Sequence, residues 1–310
     1  RVRMLAPEAL LGNLERPLDA LGESAADLPE RQRTLRDTIA WSYDLLSPGE
    51  QRLFRRLSVC PGGCTLEMAE VVGSRESIVE RTTDRTTSDF RLPTSDSPLD
   101  LLGRLVDQSL VIARPGEDGE TRYAMLGTIR EFAAERLAAC GEAEDAQRAL
   151  MGYLMRLVEE AEAGFLGSAQ TAWLDRVEAE HDNIRAALGS SLERRDVEAA
   201  LALATAFAPF WRARGFAGEG ADWLERTVAL AAEAPAEERA AALAALGGLA
   251  IDLGEFALAD RAFEESVGLW MTLGDRRTMI QGLFALAVSR SHGGAVAESR
   301  AALDEALAIA

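Results

Sequence analysis

SPLDLLGRLVDQSLVIARPGEDGETRYAMLGTIREFAAERL, residues 97–137, reads as helix, strand, tight turn, strand, helix. Ser97 followed by Pro98 predicts a helix start, because the serine oxygen accepts an orphan N–H where proline has none to satisfy. Leu101, Leu102, Leu105 and Val106 fall at helical spacing and give one apolar face. The runs Leu110–Ile112 and Tyr123–Met125 flank Pro115–Gly119, whose Pro, Gly and Asp content predicts a turn between paired strands. A second helix is expected from about Thr128, with Ile129, Phe132, Ala133 and Leu137 inward. Helix plus β-wing is half of a winged helix, and the rest of the chain is read outward from it.

The preceding segment supplies the missing helices. Leu35, Ile39, Tyr43 and Leu46 form a helical stripe over residues 33–46. Ser47-Pro-Gly-Glu50 then combines an N-cap serine, a proline at the first helical position and a glutamate that reaches back, a capping box. Leu53, Phe54 and Leu57 face inward from the helix it opens, Pro61–Gly63 ends that helix, and Thr65 caps a short one through Val72. Residues 74–97 are rich in Ser, Thr, Asp and Arg and poor in large apolar side chains, which predicts a flexible insertion.

From Glu142 onward every periodic segment is helical, and a repeat emerges. Gly254, Phe256, Phe263 and Ser266 recur as Gly294, Val296, Leu303 and Ala306, and earlier as Gly215, Ala217, Leu224 and Thr227. A period of about 40 residues with a glycine between two helices is the signature of stacked helical hairpins. Two further helices, about 146–163 and 169–190, begin the same array. The expected fold is therefore mainly α: a winged helix with a small β-hairpin wing, followed by a tetratricopeptide-like α–α superhelix. The expected domains are a linker over 1–31, the winged helix over 32–140 and the helical repeats over 141–310. The opening Arg1 and the final helix without a polar cap read as the ends of a piece cut from a larger protein.

Composition narrows the function. Of 310 residues 48% are hydrophobic and 6% aromatic, and no apolar run approaches the ~18 residues that span a bilayer. No secretory signal opens the chain, and three cysteines make no disulfide framework, so a cytoplasmic, membrane-free location is expected. Residues 1–140 carry 18 Arg against 23 Asp and Glu, net −5, and residues 141–310 carry 15 against 28, net −13. Such a surface repels phosphate backbones, so direct nucleic-acid contact is not expected. The helix 98–108 offers Arg104 against Asp100 and Asp107, the wrong balance for entering a DNA groove.

Chemistry is sparse too. Every basic residue is arginine, so no lysine-bearing phosphate loop exists, and no GxGxxG follows a strand. Cys60 and Cys64 bracket a turn, but two histidines in the whole chain give no second ligand pair for zinc, and both thiols are expected to be buried and inert. Glu180-His-Asp-Asn183 looks catalytic, yet neighbours on a helix point ~100° apart, so a role in joining this helix to its neighbours is expected. No catalytic, metal or cofactor residues are expected within the chain. The remaining surface is the concave side of the superhelix, read as Thr205, Trp211 and Arg212, then Ala244 and Gly248, then Phe284, Val288 and Ser291.

Five segments in order, TLRDTIAWSYDLLSPGEQRLFRRLSV (34–59), GGCTLEMAEVV (62–72), LLGRLVDQSLV (101–111), RYAMLGTIREFAAERL (122–137) and WLDRVEAEHDNIRAAL (173–188), resemble the region after the nucleotide-binding module of bacterial STAND-class (NB-ARC-like) ATPase regulators, maltose-activator-type proteins among them. Residues 1–14 resemble the tail of the ATPase's helical subdomain. The resemblance implies a non-catalytic sensor and relay. The winged helix would pack on an upstream nucleotide module in cis, and the superhelix would bind an inducer or a protein partner. ATP and ADP would be bound by the parent protein, which would self-associate on activation. Met125, Leu126 and Gly127 stand where related proteins place a nucleotide-facing Met-His-Asp motif, with the histidine and aspartate missing. Two other readings are a stand-alone repeat scaffold that holds a protein or peptide, and a DNA-binding protein in its own right.

Overall fold

The computed structural model describes residues 30–74, 97–116, 119–164 and 170–310. Residues 1–14, nearly all of the 74–97 insertion and Glu117 and Asp118 of the expected turn lie outside them. The described chain forms fourteen α-helices, one 3-10 turn and a two-stranded antiparallel sheet. Two compact units result: one runs to Tyr153 and also takes in Ala179–Ala186, and the other comprises Leu154–Glu178 and Ala187–Ala310. The first domain is thus discontinuous, which a division at residue 140 did not anticipate.

The first unit is a winged helix. Its elements are α1 (Glu30–Asp44), α2 (Pro48–Arg56) running into a 3-10 turn (Leu57–Val59), α3 (Leu66–Gly73), α4 (Pro98–Asp107), β1 (Ile112–Pro115), β2 (Thr121–Ala124) and α5 (Gly127–Ala139). Local chemistry sets the starts. Ser47 and Glu50 form the reciprocal capping box, Thr65 Oγ1 accepts from the Met68 N–H at 3.2 Å, and Ser97 Oγ accepts from Asp100 at 3.2 Å. Glu50 is buried and also accepts from Arg104 Nε at 2.9 Å, tying α2 to α4. Tyr43, Phe54 and Phe132 meet at ring-centroid distances of 5.5, 5.8 and 6.5 Å, so three helices share one aromatic core. Leu53, Met68, Leu102, Leu105 and Leu137 are buried in the same unit.

Three expectations shift. Leu35 is 43% exposed and lies off the core stripe that Ile39, Tyr43 and Leu46 do form. The strands sit further into the turn than the apolar runs, pairing Ile112 with Ala124 and Pro115 with Thr121. Leu110 and Val111 are buried just before β1, so their hydrophobicity marks the core and not the ladder. α5 begins at Gly127, one residue earlier than expected. A third short rung joins Cys64 and Tyr123 through two 2.8 Å backbone bonds. Gly63 allows it: its φ is +77°, and a Cβ there would lie 2.8 Å from the Tyr123 carbonyl oxygen.

The second unit is an α–α superhelix. It takes the later part of α6 (Ala143–Gly164), nearly all of α7 (Gln170–Ala179) and the later part of α8 (His181–Glu193), and then repeats three hairpins: α9 (Val197–Arg214) with α10 (Ala217–Leu230), α11 (Ala236–Leu253) with α12 (Phe256–Leu273), and α13 (Arg276–His292) with α14 (Val296–Ile309). The single helix expected over 169–190 is two, broken at Glu180, whose side chain turns into the first unit's core. The predicted repeat is visible atom by atom. Gly215, Gly254 and Gly294 take φ of 78°, 75° and 83°, and the residue after each returns its N–H to the carbonyls of Trp211, Ala250 and Arg290 at 2.8 Å. That left-handed bend with a six-residue return bond is the glycine stop of an α-helix. Small residues let helices cross closely: a Cβ on Gly220 would lie 2.5 Å from the Trp211 ring, and one on Gly247 2.7 Å from Phe263. Ser266, buried at its repeat position, donates to the Ala240 carbonyl at 2.8 Å.

Candidate functional site

Two places concentrate polar chemistry. The first lies inside the winged-helix unit, where residues 179–186 reach it. Arg122, projecting from β2, donates to Glu180 Oε1 at 2.6 Å and to the carbonyls of Gly62 and Gly63 at 3.3 and 3.2 Å. Asn183 accepts from the Gly62 N–H at 3.0 Å and donates to the Gly63 carbonyl at 2.9 Å and to Glu180. Glu180 is 1% exposed and Asn183 0%. Desolvation is the largest single influence on Arg122 and lowers its pKa, but the hydrogen bond and charge of Glu180, with smaller help from nearby groups, outweigh it and leave the pKa raised. Such a pair is held by its satisfied partners and would be costly to break from one side.

This explains the Glu180–Asn183 motif without catalysis. Asn183 grips the Gly62–Gly63 bend directly and Glu180, three residues earlier, holds Arg122 and Asn183 against it, while Asp182 points out and pairs with Arg185 at 3.2 Å. Cys60 and Cys64 lie on the same bend, buried, and burial pushes the Cys60 thiol up and that of Cys64 up to about 12. A thiol so held is a poor nucleophile. Arg122 carries no sequence mark, because its partner lies 58 residues away.

The second place is a groove in the superhelix of about 270 Å³ between the first helices of two successive hairpins. Thr205, Ala208, Pro209 and Arg212 of α9 form one wall, and Ala244, Ala245, Gly248 and Leu249 of α11 the other. Four of these, Thr205, Arg212, Ala244 and Gly248, are residues that repeat counting places on the concave side. Alanine and glycine on α11 leave the space, and Arg212 holds Asp252 through two bonds of 2.7 and 3.0 Å. Pro209 was not anticipated, and its signal was in the sequence, a proline inside a helical run. Having no N–H, it cannot donate the usual helical bond to the Thr205 carbonyl.

Trp211 is a correction. It is 0% exposed, because adjacent helical residues project ~100° apart and Arg212 on the groove turns the indole into the core. Phe284, Val288 and Ser291 lie on α13, outside the groove lining; Phe284 is 59% exposed, Ser291 exposed and Val288 half-buried. Met125, Leu126 and Gly127 form the bend from β2 into α5, with Leu126 at the N-cap position and 51% exposed. Among the described residues no group of three or more His, Cys, Asp and Glu is placed to hold a metal ion, and no helix is long and apolar enough to cross a membrane.

No protein-family model matches the chain. It is similar to Rv0890c of Mycobacterium tuberculosis, provisionally named an HTH-type transcriptional regulator, with 34% identity over 223 residues, 72% of this chain and 23% of that protein. A second relative, the uncharacterized Rv0894 of the same organism, is 29% identical over 144 residues, 46% of this chain and 33% of that protein. The chain therefore spans well under half the length of these curated relatives. Among solved structures, a Pyrococcus horikoshii STAND protein with a tetratricopeptide repeat sensor aligns over 99% of this chain and 58% of its own, at 13% identity and a TM-score of 0.36.

Proposed function

We propose that this chain is the relay and sensor portion of a STAND-class regulator of transcription or signalling, without catalysis of its own. The superhelix takes an inducer or partner peptide in the Thr205–Arg212 groove, and the winged helix docks on a nucleotide-binding module of the same polypeptide, which holds ATP or ADP. The observation that carries this reading is the groove itself: small residues on α11 opposite Thr205 and the paired Arg212 of α9 make a recess with few polar groups. Five ordered motifs and a regulator-named relative support it. On α4 the one arginine is already bound to Glu50, beside Asp100 and Asp107, which favours docking to protein over entry into DNA. Signal transfer then requires that the inducer bind one state of the parent better than the other.

The test is a thermal-shift screen of small molecules and peptides against the chain, repeated with Gly248→Trp, which fills the groove. A ligand whose shift disappears in that variant supports the reading. Ligands that stabilise both proteins equally would sink the groove assignment, and a parent protein that binds no adenine nucleotide would sink the STAND assignment.

A further inference from the structure

In the winged-helix unit Arg55, Arg104 and Arg122 each hold a carboxylate, those of Glu142, Glu50 and Glu180. Two arginines of α2 do not. Arg56 is 4% exposed, and among the described residues its one hydrogen bond runs from Nε to the carbonyl of Val72, at the end of α3. Its two Nη nitrogens take no partner there, yet they are not among the polar atoms sealed from solvent. Arg52 lies one turn earlier on the same side of α2, half-buried, with no hydrogen bond or ion pair among the described residues. A buried charge without a counter-charge opposes folding, and like charges four residues apart on a helix repel. Desolvation is the largest influence on Arg56 and lowers its pKa, the charges of Arg52 and Arg55 lower it further, and Glu142 and Asp145 act the other way. Both of those acids are already engaged, Glu142 by Arg55 and Asp145 by Arg148. Arg52, Arg55, Arg56 and Arg148 therefore stand with two carboxylates, a local excess of two positive charges in a chain of net charge −18.

We propose that Arg52 and Arg56, where α2 meets the end of α3, form a binding site for a phosphate group, as the free ion or as a small phosphomonoester. A phosphate dianion matches the excess of two charges, whereas a single carboxylate would leave one uncompensated. The guanidinium fork fits two oxygens of one phosphate at once. Arg56, fixed by burial and by Val72, presents Nη donors in a set direction, and Arg52 adds a second fork from the more open side. The site shares no residue with the superhelix groove and needs no nucleotide module, so it stands apart from the proposed function.

The experiment titrates the 310-residue chain calorimetrically with inorganic phosphate and, separately, with phosphoserine, in low-salt buffer free of other oxyanions. Saturable one-site binding is expected, with a thermal midpoint that rises with ligand concentration. Arg52→Gln is expected to weaken binding by about tenfold or more. Arg226→Gln, at an exposed arginine over the Trp223 ring in the other unit, is expected to leave it unchanged. Arg56→Gln is expected to abolish binding; circular dichroism establishes whether that variant folds, and Arg52→Gln decides the matter if it does not. The tighter of the two ligands distinguishes free ion from ester. Acetate at the same ionic strength is expected to give no saturable response. Absence of saturable binding by both phosphates, equal binding of acetate, or binding that survives Arg52→Gln intact would overturn the site.

Discussion

In the winged helix, Tyr43, Phe54 and Phe132 come from three helices and meet in one ring cluster, and a buried Arg122–Glu180 pair spans 58 residues of sequence. In the superhelix the close contacts are between near neighbours, Gly220 under Trp211 and Gly247 under Phe263, and they are built from small residues under large ones. The first core forms only when distant pieces arrive together, and the second assembles one hairpin at a time. Damage to the first should therefore spread through its unit, and damage to the second should stay within a hairpin and its neighbours.

The sharpest test is Phe54→Ala. Phe54 is 0% exposed, and its removal is expected to cost about 3–5 kcal/mol and to loosen the whole winged helix. Native alkylation should reach Cys140 alone before the change, and Cys60 and Cys64 as well after it. If amide exchange across 236–309 rises as much as exchange across 48–139, the contrast between the two cores is wrong.

Next in size is Arg122→Met, which strands a Glu180 carboxylate whose side chain is 2% exposed. A loss of about 3 kcal/mol in urea denaturation is expected, partly recovered by adding Glu180→Gln, since the penalty comes from the unpaired charge. A double variant as unstable as the single one would assign the loss to the bonds Arg122 makes to Gly62 and Gly63.

Within the superhelix, two glycine changes should have opposite signs. Gly247→Ala forces a methyl against the Phe263 ring and is expected to cost about 1–3 kcal/mol, whereas Gly268→Ala meets nothing within 4 Å and is expected to gain about 0.5–1 kcal/mol in chemical denaturation. Equal effects would mean that helix propensity, and not close crossing, governs this unit.

The smallest effect is expected from Glu142→Gln. A hydrogen bond from Arg55 holds the Glu142 carboxyl below the usual carboxylate range. A depressed carboxylate contributes stability above its unfolded pKa, near ~4.3, and loses that contribution as pH falls through its lower folded value. The variant should therefore flatten the acid limb of the winged helix's stability curve below about pH 4 and leave that of the superhelix unmoved.

What could be read in advance follows the same division. Ser47, Thr65 and Ser97 announce their helices, and Gly215, Gly254 and Gly294 their bends, because each acts on atoms within a few residues of itself. The groove residues Thr205, Arg212, Ala244 and Gly248 came out of repeat counting, since a fixed period converts sequence position into facing. Trp211 is the exception, because helical geometry allows only one of two adjacent residues to face the groove, and Arg212 takes that place. The break at Glu180, the partner of Arg122 and the exposure of Leu35 depend on contacts across the fold, and no local pattern encodes them.

The placement of Ala179–Ala186 has a practical consequence for anyone cutting this gene. A clone stopping at Cys140, where the sequence seems to change domain, would omit both Glu180 and Asn183 and leave Arg122 facing a vacated seat. A clone that keeps the first unit whole runs at least to Ala186, and to Glu193 if α8 is to stay intact.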